Sequence, residues 1–191
     1  YDLPKYVNKI PKSLKFKKNK ILENNINLSI ICHLGNINLW NNLKIYINNV
    51  CTIFTNNIIF LTLHNENKQN KIIRDIKKDF PNIIIIFVTN NGMDIYPFFK
   101  CIEYIKNNKY EFDWIYKIHS KNDDYWRKQL CDPISGSYNI LFLIKNDIMK
   151  HKHIGMIGCY KYLINIDDYN DYHLKQYFNE YYKYKEISMF I

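Results

Sequence analysis

Four polar clusters punctuate an apolar, β-branched sequence, and each follows a run that reads as a buried strand. His33 ends Leu28-Ser29-Ile30-Ile31-Cys32-His33, and His64 to Asn67, with Glu66, follows Ile58 to Leu63. Asn90-Asn91-Gly92-Met93-Asp94 follows Ile83 to Thr89. His119-Ser120-Lys121-Asn122-Asp123-Asp124, leading into Trp126-Arg127, follows the run from Trp114. The last cluster holds the most chemistry. Lys121 and Arg127 can neutralise a diphosphate. His119 can hydrogen-bond it or move a proton. Asp123 and Asp124 can hold a divalent cation, Mg or Mn, through oxygen. A solvated loop with a satisfied histidine would also explain these residues. In the third cluster, Gly92 suits a positive φ and Asp94 the cap of a helix starting near Ile95. The functional alternative has Asp94 or Asn91 touching a nucleotide's base or ribose. His33 either lines the same site or is structural, and His151-Lys152-His153 reads as surface.

The elements that must position these residues alternate. Leu39, Trp40, Leu43, Ile47 and Val50 recur at helical spacing, as do Ile72, Ile73, Ile76 and Phe80 before Pro81, and Ile95, Phe98, Phe99, Ile102 and Ile105. Strand and helix in turn through His119 predict an α/β fold, with a mostly parallel sheet covered by helices on both faces. Ligands of such sheets sit at the carboxyl ends of the strands, where all four clusters fall. The run Ile83–Thr89, apolar on both faces, is expected inside the sheet rather than at an edge. Asp94 and His119 are expected on one surface, because adjacent parallel strands set their loops side by side. Residues 1–27 read as a basic, irregular arm broken by Pro4 and Pro11, and residues 28–191 as the α/β domain. Past residue 128 the pattern loosens. Leu141, Phe142, Ile144 and Ile148 predict a helix, Ile154 to Gly158 a strand, and 167–186 a Tyr-rich helix.

Composition narrows the classes. At 191 residues and 47% hydrophobic, the chain is one core-forming domain rather than a disordered one. Its longest apolar run, Ile83 to Val88, is far short of the ~20 residues of a membrane helix. Five scattered cysteines with no C-x-x-C argue against a disulfide framework or zinc site and suit a reducing, cytoplasmic setting, peripheral to a membrane at most. A net charge of +9 raises nucleic acid as a partner. Lys outnumbers Arg 25 to 2, however, and 33 Ile and 27 Asn stand beside no Ala. These are marks of an AT-rich coding sequence, which accounts for the charge without a polyanionic partner. No G-x-x-x-x-G-K-[ST], G-x-G-x-x-G or G-x-S-x-G occurs, so ATPase, dinucleotide and α/β-hydrolase readings lose their main support.

Five stretches in order resemble one family. Asn90-x-Gly92-x-Asp94-Ile95-x-Pro97-Phe98 is followed by Phe112-Asp113-x-Ile115-x-Lys117-Ile118-His119-Ser120-Lys121. Then come Trp126-Arg127, Ser135-Gly136-Ser137 and Ile154-Gly155-Met156-Ile157-Gly158. With His33 and Asn38-Leu39-Trp40, the pattern over about residues 28–160 resembles the rhamnan synthesis protein F family, glycosyltransferases of polysaccharide assembly. It is also similar to the general GT-A plan, in which an Asp-x-Asp motif holds a metal on the donor diphosphate. Here His119-Ser120-Lys121 stands at that place, which implies a diphosphate site needing no metal, with Lys121 supplying the charge. Asp123 and Asp124 keep a metal option. Family members commonly continue past a Gly-Thr-Met-Phe-Trp segment, which Ile187-Ser188-Met189-Phe190 resembles faintly. The resemblance thus implies a catalytic domain cut short at its C-terminus.

The function so implied is a GT-A-like glycosyltransferase. Its donor would be a dTDP- or UDP-sugar, with rhamnose or another deoxysugar transferred to a hydroxyl of a glycan or glycoprotein. His33, Glu66, Asn91, Gly92 and Asp94 would line the nucleoside end, and Lys121 and Arg127 the diphosphate. His119, Asp123 and Asp124 are the candidate bases. The family's usual Arg is absent from the loop holding Asn91 and Met93. That departure favours a rival, a non-catalytic nucleotide-sugar or glycan-binding module. A basic nucleic-acid-binding domain is the third reading.

Overall fold

The computed structural model describes residues 26–159 and 189–190. The basic arm through residue 25 and the helix expected over 167–186 lie outside them. Five strands, β1 (Leu28–Leu34), β2 (Asn57–His64), β3 (Ile84–Val88), β4 (Trp114–His119) and β5 (Met189–Phe190), form one sheet in the order β3-β2-β1-β4-β5, and every pairing is parallel. Among the described residues five α-helices accompany it: α1 (Trp40–Ile53), α2 (Ile72–Asp79), α3 (Ile95–Asn107), α4 (Asp124–Ser135) and α5 (Tyr138–Lys150). Ile26 and Asn27, assigned to the arm, belong to the domain. Ile26 is buried in the core, and the Asn27 carbonyl accepts from the Asp113 backbone N–H.

Two cores sandwich the sheet. On one face Ile30, Cys32 and Leu34 of β1 and Leu61 and Leu63 of β2 pack under Trp40, Leu43 and Ile47 of α1, Ile76 of α2, Cys131 and Ile134 of α4, and Leu141 and Ile144 of α5. On the other, Ile31, Phe60 and Ile115 meet Phe98, Cys101 and Ile105 of α3. Right-handed crossovers explain the split. The chain winds outward from β1 to β3 with α1 and α2 on one face. It then returns past β2 and β1 to β4, with α3 on the other. This is a Rossmann-like arrangement.

Three expectations need correction. Ile84–Val88 is an edge strand, hydrogen-bonded only to β2, and Ile84 through Phe87 are half-buried rather than enclosed. Its apolar side chains report helical cover on both faces, which an edge strand of a doubly covered sheet also receives. The central strand is β1, all seven residues of which are buried. Ile154 to Gly158 forms no strand and runs as irregular chain, with Ile154 and Ile157 packed on the first core. A helix also replaces the loop expected around Trp126 and Arg127. Asp123 caps α4, its carboxylate accepting from the Trp126 N–H at 2.7 Å.

The Ser135-Gly136-Ser137 stretch turns the corner between α4 and α5. A Cβ on Gly136 would stand 2.7 Å from the Asp132 backbone, so only glycine fits. Ser135 is fully buried, 2.6 Å from the Tyr116 hydroxyl, and Ser137 caps α5 at the Ile140 N–H. That motif secures β4 against α4 and α5; it does not reach the strand ends.

Candidate functional site

The strand order places β1 and β4 side by side, with β2 flanking β1 on one side and β5 flanking β4 on the other, while α1 and α4 pack on the same face. The crevice at their carboxyl ends is the topological switch point, where ligands of open α/β sheets bind. His33 pairs in register with His119 across these two strands, and with Thr62 on β2. Strand alternation then sets Thr62, His64, His33, Lys117 and His119 on the α3 face.

These residues form one network. The His33 Nδ1 lies 3.0 Å from the Thr62 hydroxyl, which itself donates to the Cys32 carbonyl at 3.4 Å. Which of the two groups donates is set by the His33 tautomer. The His33 and His64 rings lie 5.3 Å apart, and His64 Nδ1 faces the exposed Glu66 carboxylate at 3.8 Å. Lys117 donates to Asp94 Oδ2 at 2.8 Å, and His119 Nδ1 lies 3.6 Å from the same oxygen. His119 Nε2 is shut off from solvent and has no hydrogen-bond partner among the described residues.

Asp94 occupies the cap position of α3 but makes no capping hydrogen bond, because its carboxylate turns to Lys117 and His119 instead. The turn that delivers it uses two left-handed residues, Gly92 at φ 64° and Met93 at φ 52°. A Cβ at Gly92 would stand 2.9 Å from the Tyr96 Cβ, a second reason for glycine there. Asp94 and His119 do share one surface, though not because their strands are adjacent. Two strands, β2 and β1, separate β3 from β4. The returning crossover brings the start of α3 back over β1 and β4.

Electrostatics follow from burial. Desolvation pushes His33 down to about 4, reinforced by His64. Burial likewise lowers His119 to about 4; Asp94 pulls upward, and Lys117 and Lys121 push down. Burial raises Asp94, but His119 and Lys117 outweigh it and hold the carboxyl at about 2. At neutral pH the site therefore holds two uncharged imidazoles beside an internally compensated Lys117–Asp94 pair.

The second loop divides differently from the sequence expectation. Lys121 lies with its ammonium 4.4 Å from the Trp126 ring centroid, half-exposed at the strand end. A cavity of about 220 Å³ opens beside it at the outer edge of β4, walled by Leu130, Ile134 and Met156. Arg127 is not presented to a ligand. Its side chain is 3% exposed, donates to the Lys121 carbonyl at 2.5 Å and pairs with Asp124. It fastens the loop that carries Lys121. Asp123 spends one carboxylate oxygen on its helix cap, and Asp124 also bridges Lys128 at 2.9 Å. No group of three or more metal-ligating side chains gathers among the described residues. Asn91 and Gly92 are exposed in the loop before Asp94, and Glu66 reaches the network only through His64. Arg127→Ala is expected to lower stability by ~1.5–3 kcal/mol, the range for hydrogen bonds to a charged group. Lys128→Ala, on the exposed side of the same carboxylate, should leave stability nearly unchanged. Urea titration of both variants measures the contrast.

Sequence reasoning missed Lys117, Thr62, Ser120 and Asn36. Lys117 had a visible signal: a cation two residues before His119 on a buried strand shares its face. Ser120 Oγ accepts from the backbone N–H groups of Gly35 (2.9 Å) and Asn36 (3.2 Å), and the Asn36 side chain donates to Asn122. These bonds tie the β1 and β4 loops together, and no local pattern announces them. No family model matches the chain, and no curated protein or solved structure matches it either. Among the described residues no helix is long and apolar enough to cross a membrane.

Proposed function

We propose that this domain is a glycosyltransferase that takes a nucleoside-diphosphate sugar across the carboxyl ends of β1 and β4. The observation that carries the reading is His119: an uncharged imidazole at the switch point, backed by an ionised carboxylate on Nδ1, with Nε2 unpartnered. That is the arrangement of a general base. Once the His119 ring turns its covered Nε2 toward the crevice, an acceptor hydroxyl gives its proton there, and its oxygen bonds the anomeric carbon of the donor. The bond from that carbon to the diphosphate breaks, its electron pair leaving on the nucleoside diphosphate. The half-exposed Lys121 stabilises that charge. The imidazolium then returns its proton to solvent. The resemblance supports a deoxysugar such as rhamnose, a dTDP or UDP carrier and a glycan acceptor.

Arg127, spent inside the fold, leaves Lys121 as the cation of this loop nearest the crevice. That favours a second reading, a nucleotide-sugar-binding module without turnover. Donor consumption with and without an acceptor glycoside separates the two. Lys121→Ala is expected to weaken UDP or dTDP binding by roughly 10- to 100-fold, the loss of one charge-assisted hydrogen bond. Excess EDTA is expected to leave the parent's affinity unchanged. Calorimetric titration checks both, and a strict Mg²⁺ or Mn²⁺ requirement would return the diphosphate to Asp123 and Asp124.

A further inference from the structure

We infer that the open edge of β3 joins a second copy of this chain, strand to strand and antiparallel, about a two-fold axis beside Ile86. The inference is independent of the transferase reading.

The two edges of the sheet differ. Part of β4 is covered by β5, whereas β3 pairs with β2 alone, and no described strand lies along its outer side. Natural edges are blunted by a charge, a proline or a bulge. Ile83 to Val88 has none of these: all six residues are apolar, and the register of β3 with β2 is unbroken. Ile84 through Phe87 stay only half-buried. Centred on Ile86, an antiparallel copy sets Ile84 opposite Val88 and Ile85 opposite Phe87. A β-branched residue facing an aromatic one is a favourable cross-strand pair.

Charge complementarity selects an identical partner. β3 and α3 bound an open groove of about 400 Å³, lined by Ile86 and Val88 of the strand and by Tyr96, Lys100, Glu103 and Asn107 of the helix. Those four helix positions share one stripe. As a crossover helix, α3 lies over β1, β2 and β3 and runs antiparallel to them, starting near the carboxyl end of β3. With rises of ~1.5 Å per helical residue and ~3.3 Å per strand residue, the midpoint between Lys100 and Glu103 comes level with about Ile86. The axis that pairs the strands therefore also passes between these two charges. It sets Lys100 of each copy opposite Glu103 of the other, and Tyr96 opposite Asn107. With α3 centred over β2 and strands ~4.8 Å apart, the two helices lie roughly 14 Å apart, a gap that a lysine and a glutamate bridge together. Within one copy Lys100 already donates to Glu103 at 2.7 Å, with both side chains exposed, 42% and 57%. The second copy turns that pair into an alternating row of four charges. A foreign strand offers no such symmetry. Because the strands are antiparallel, the two crevices open at opposite ends of the joined sheet and neither is covered.

Sedimentation equilibrium on the full chain over a concentration series tests the inference. The parent is expected to form dimers. Lys100→Glu and Glu103→Lys should each raise the dimer Kd about 10-fold or more, since each sets like charges together twice across the axis. An equimolar mixture of the two variants should dimerise as the parent does, because every pair across the axis is again opposite in sign. A contact confined to one chain cannot give that rescue. Hydrogen exchange of the parent supplies a readout that needs no variant: the Ile84–Val88 amides facing outward should become protected as concentration rises. A parent that stays monomeric overturns the inference, as does a dimer that ignores both reversals or a mixture that fails to recover. Equal protection of those amides at every concentration overturns it too, and assigns the edge to a segment of the same chain. Nucleotide binding is expected to be the same in parent and variants. A monomeric parent that binds UDP sinks the dimer and spares the crevice, and a dimer that binds no nucleotide does the reverse.

Discussion

Between pH 6.5 and pH 4 the folded state is expected to lose on the order of 3–6 kcal/mol of stability. His33 and His119 are the cause. Each has its folded-state value lowered from 6.5 to about 4 by burial. Between those two pH values the unfolded chain binds protons that the folded chain refuses. The stabilisation is therefore fully present above pH 6.5 and is lost as pH falls toward 4. Each histidine accounts for ~3 kcal/mol at the limit. The two face each other in register, so their losses are coupled and the sum is an upper bound. Against a typical total of ~5–15 kcal/mol, this is a large fraction. Asp94 adds a second, more acidic stage. Its value, lowered from 3.8 to about 2, contributes stability that is lost as pH falls through that window. Urea unfolding at pH 7.0, 5.5 and 4.5 measures the first stage. His33→Gln with His119→Gln should flatten the curve over that range. Equal stability of the parent at pH 7.0 and 4.5 would show that the imidazoles are not buried as described.

The same burial explains how much of the molecule its residues announced. The strands were legible because β-branched runs such as Ile58 to Leu63 have few other uses. β4 coincides with Trp114–His119, and the first three helices follow their apolar stripes. Strand order was not legible. The run at Ile84–Val88 carries the apolar side chains of covered faces, and those are the same whether a strand has one hydrogen-bonded neighbour or two. Helix α4 was missed because its inward face is built from Arg127, Cys131, Ile134 and Ser135, half of them polar, and it contains Pro133. Its buried stripe has no hydrophobic period to read.

The site shows the same division. His33 and His119 were found from strand ends alone, because parallel strands collect their carboxyl termini on one edge. Arg127 was assigned to a diphosphate because it follows the polar cluster at the carboxyl end of β4. Its burial depends on contacts that no local pattern announces, such as its hydrogen bond to the Lys121 carbonyl six residues back. Asp94 shows the reverse case. Its cap position was readable, but the pull of Lys117 and His119 on its carboxylate came from a strand 20 residues later.

His119→Gln is expected to reduce sugar transfer by roughly 10²- to 10⁴-fold, the range for loss of a general base. Glutamine keeps a neutral polar side chain at the end of β4, so the fold and donor binding should survive. The loss should fall on kcat, since a base acts on the acceptor proton only as the new bond forms. The parent's pH profile supplies the sharper test. A base held at about 4 is already deprotonated at pH 5.5, so kcat/KM should be flat from pH 5.5 to 8 and fall only on further acidification. Asp94→Asn should move that fall to lower pH, because removing the carboxylate takes away the one strong influence raising His119. Asp94→Asn also frees Lys117, whose charge then disfavours the imidazolium further, in the same direction. An acid limb near 6.5 would mean that the proton acceptor is a solvent-exposed histidine. An unchanged kcat in His119→Gln would move the base to Asp123 or Asp124, and the network around Asp94 would then serve stability alone.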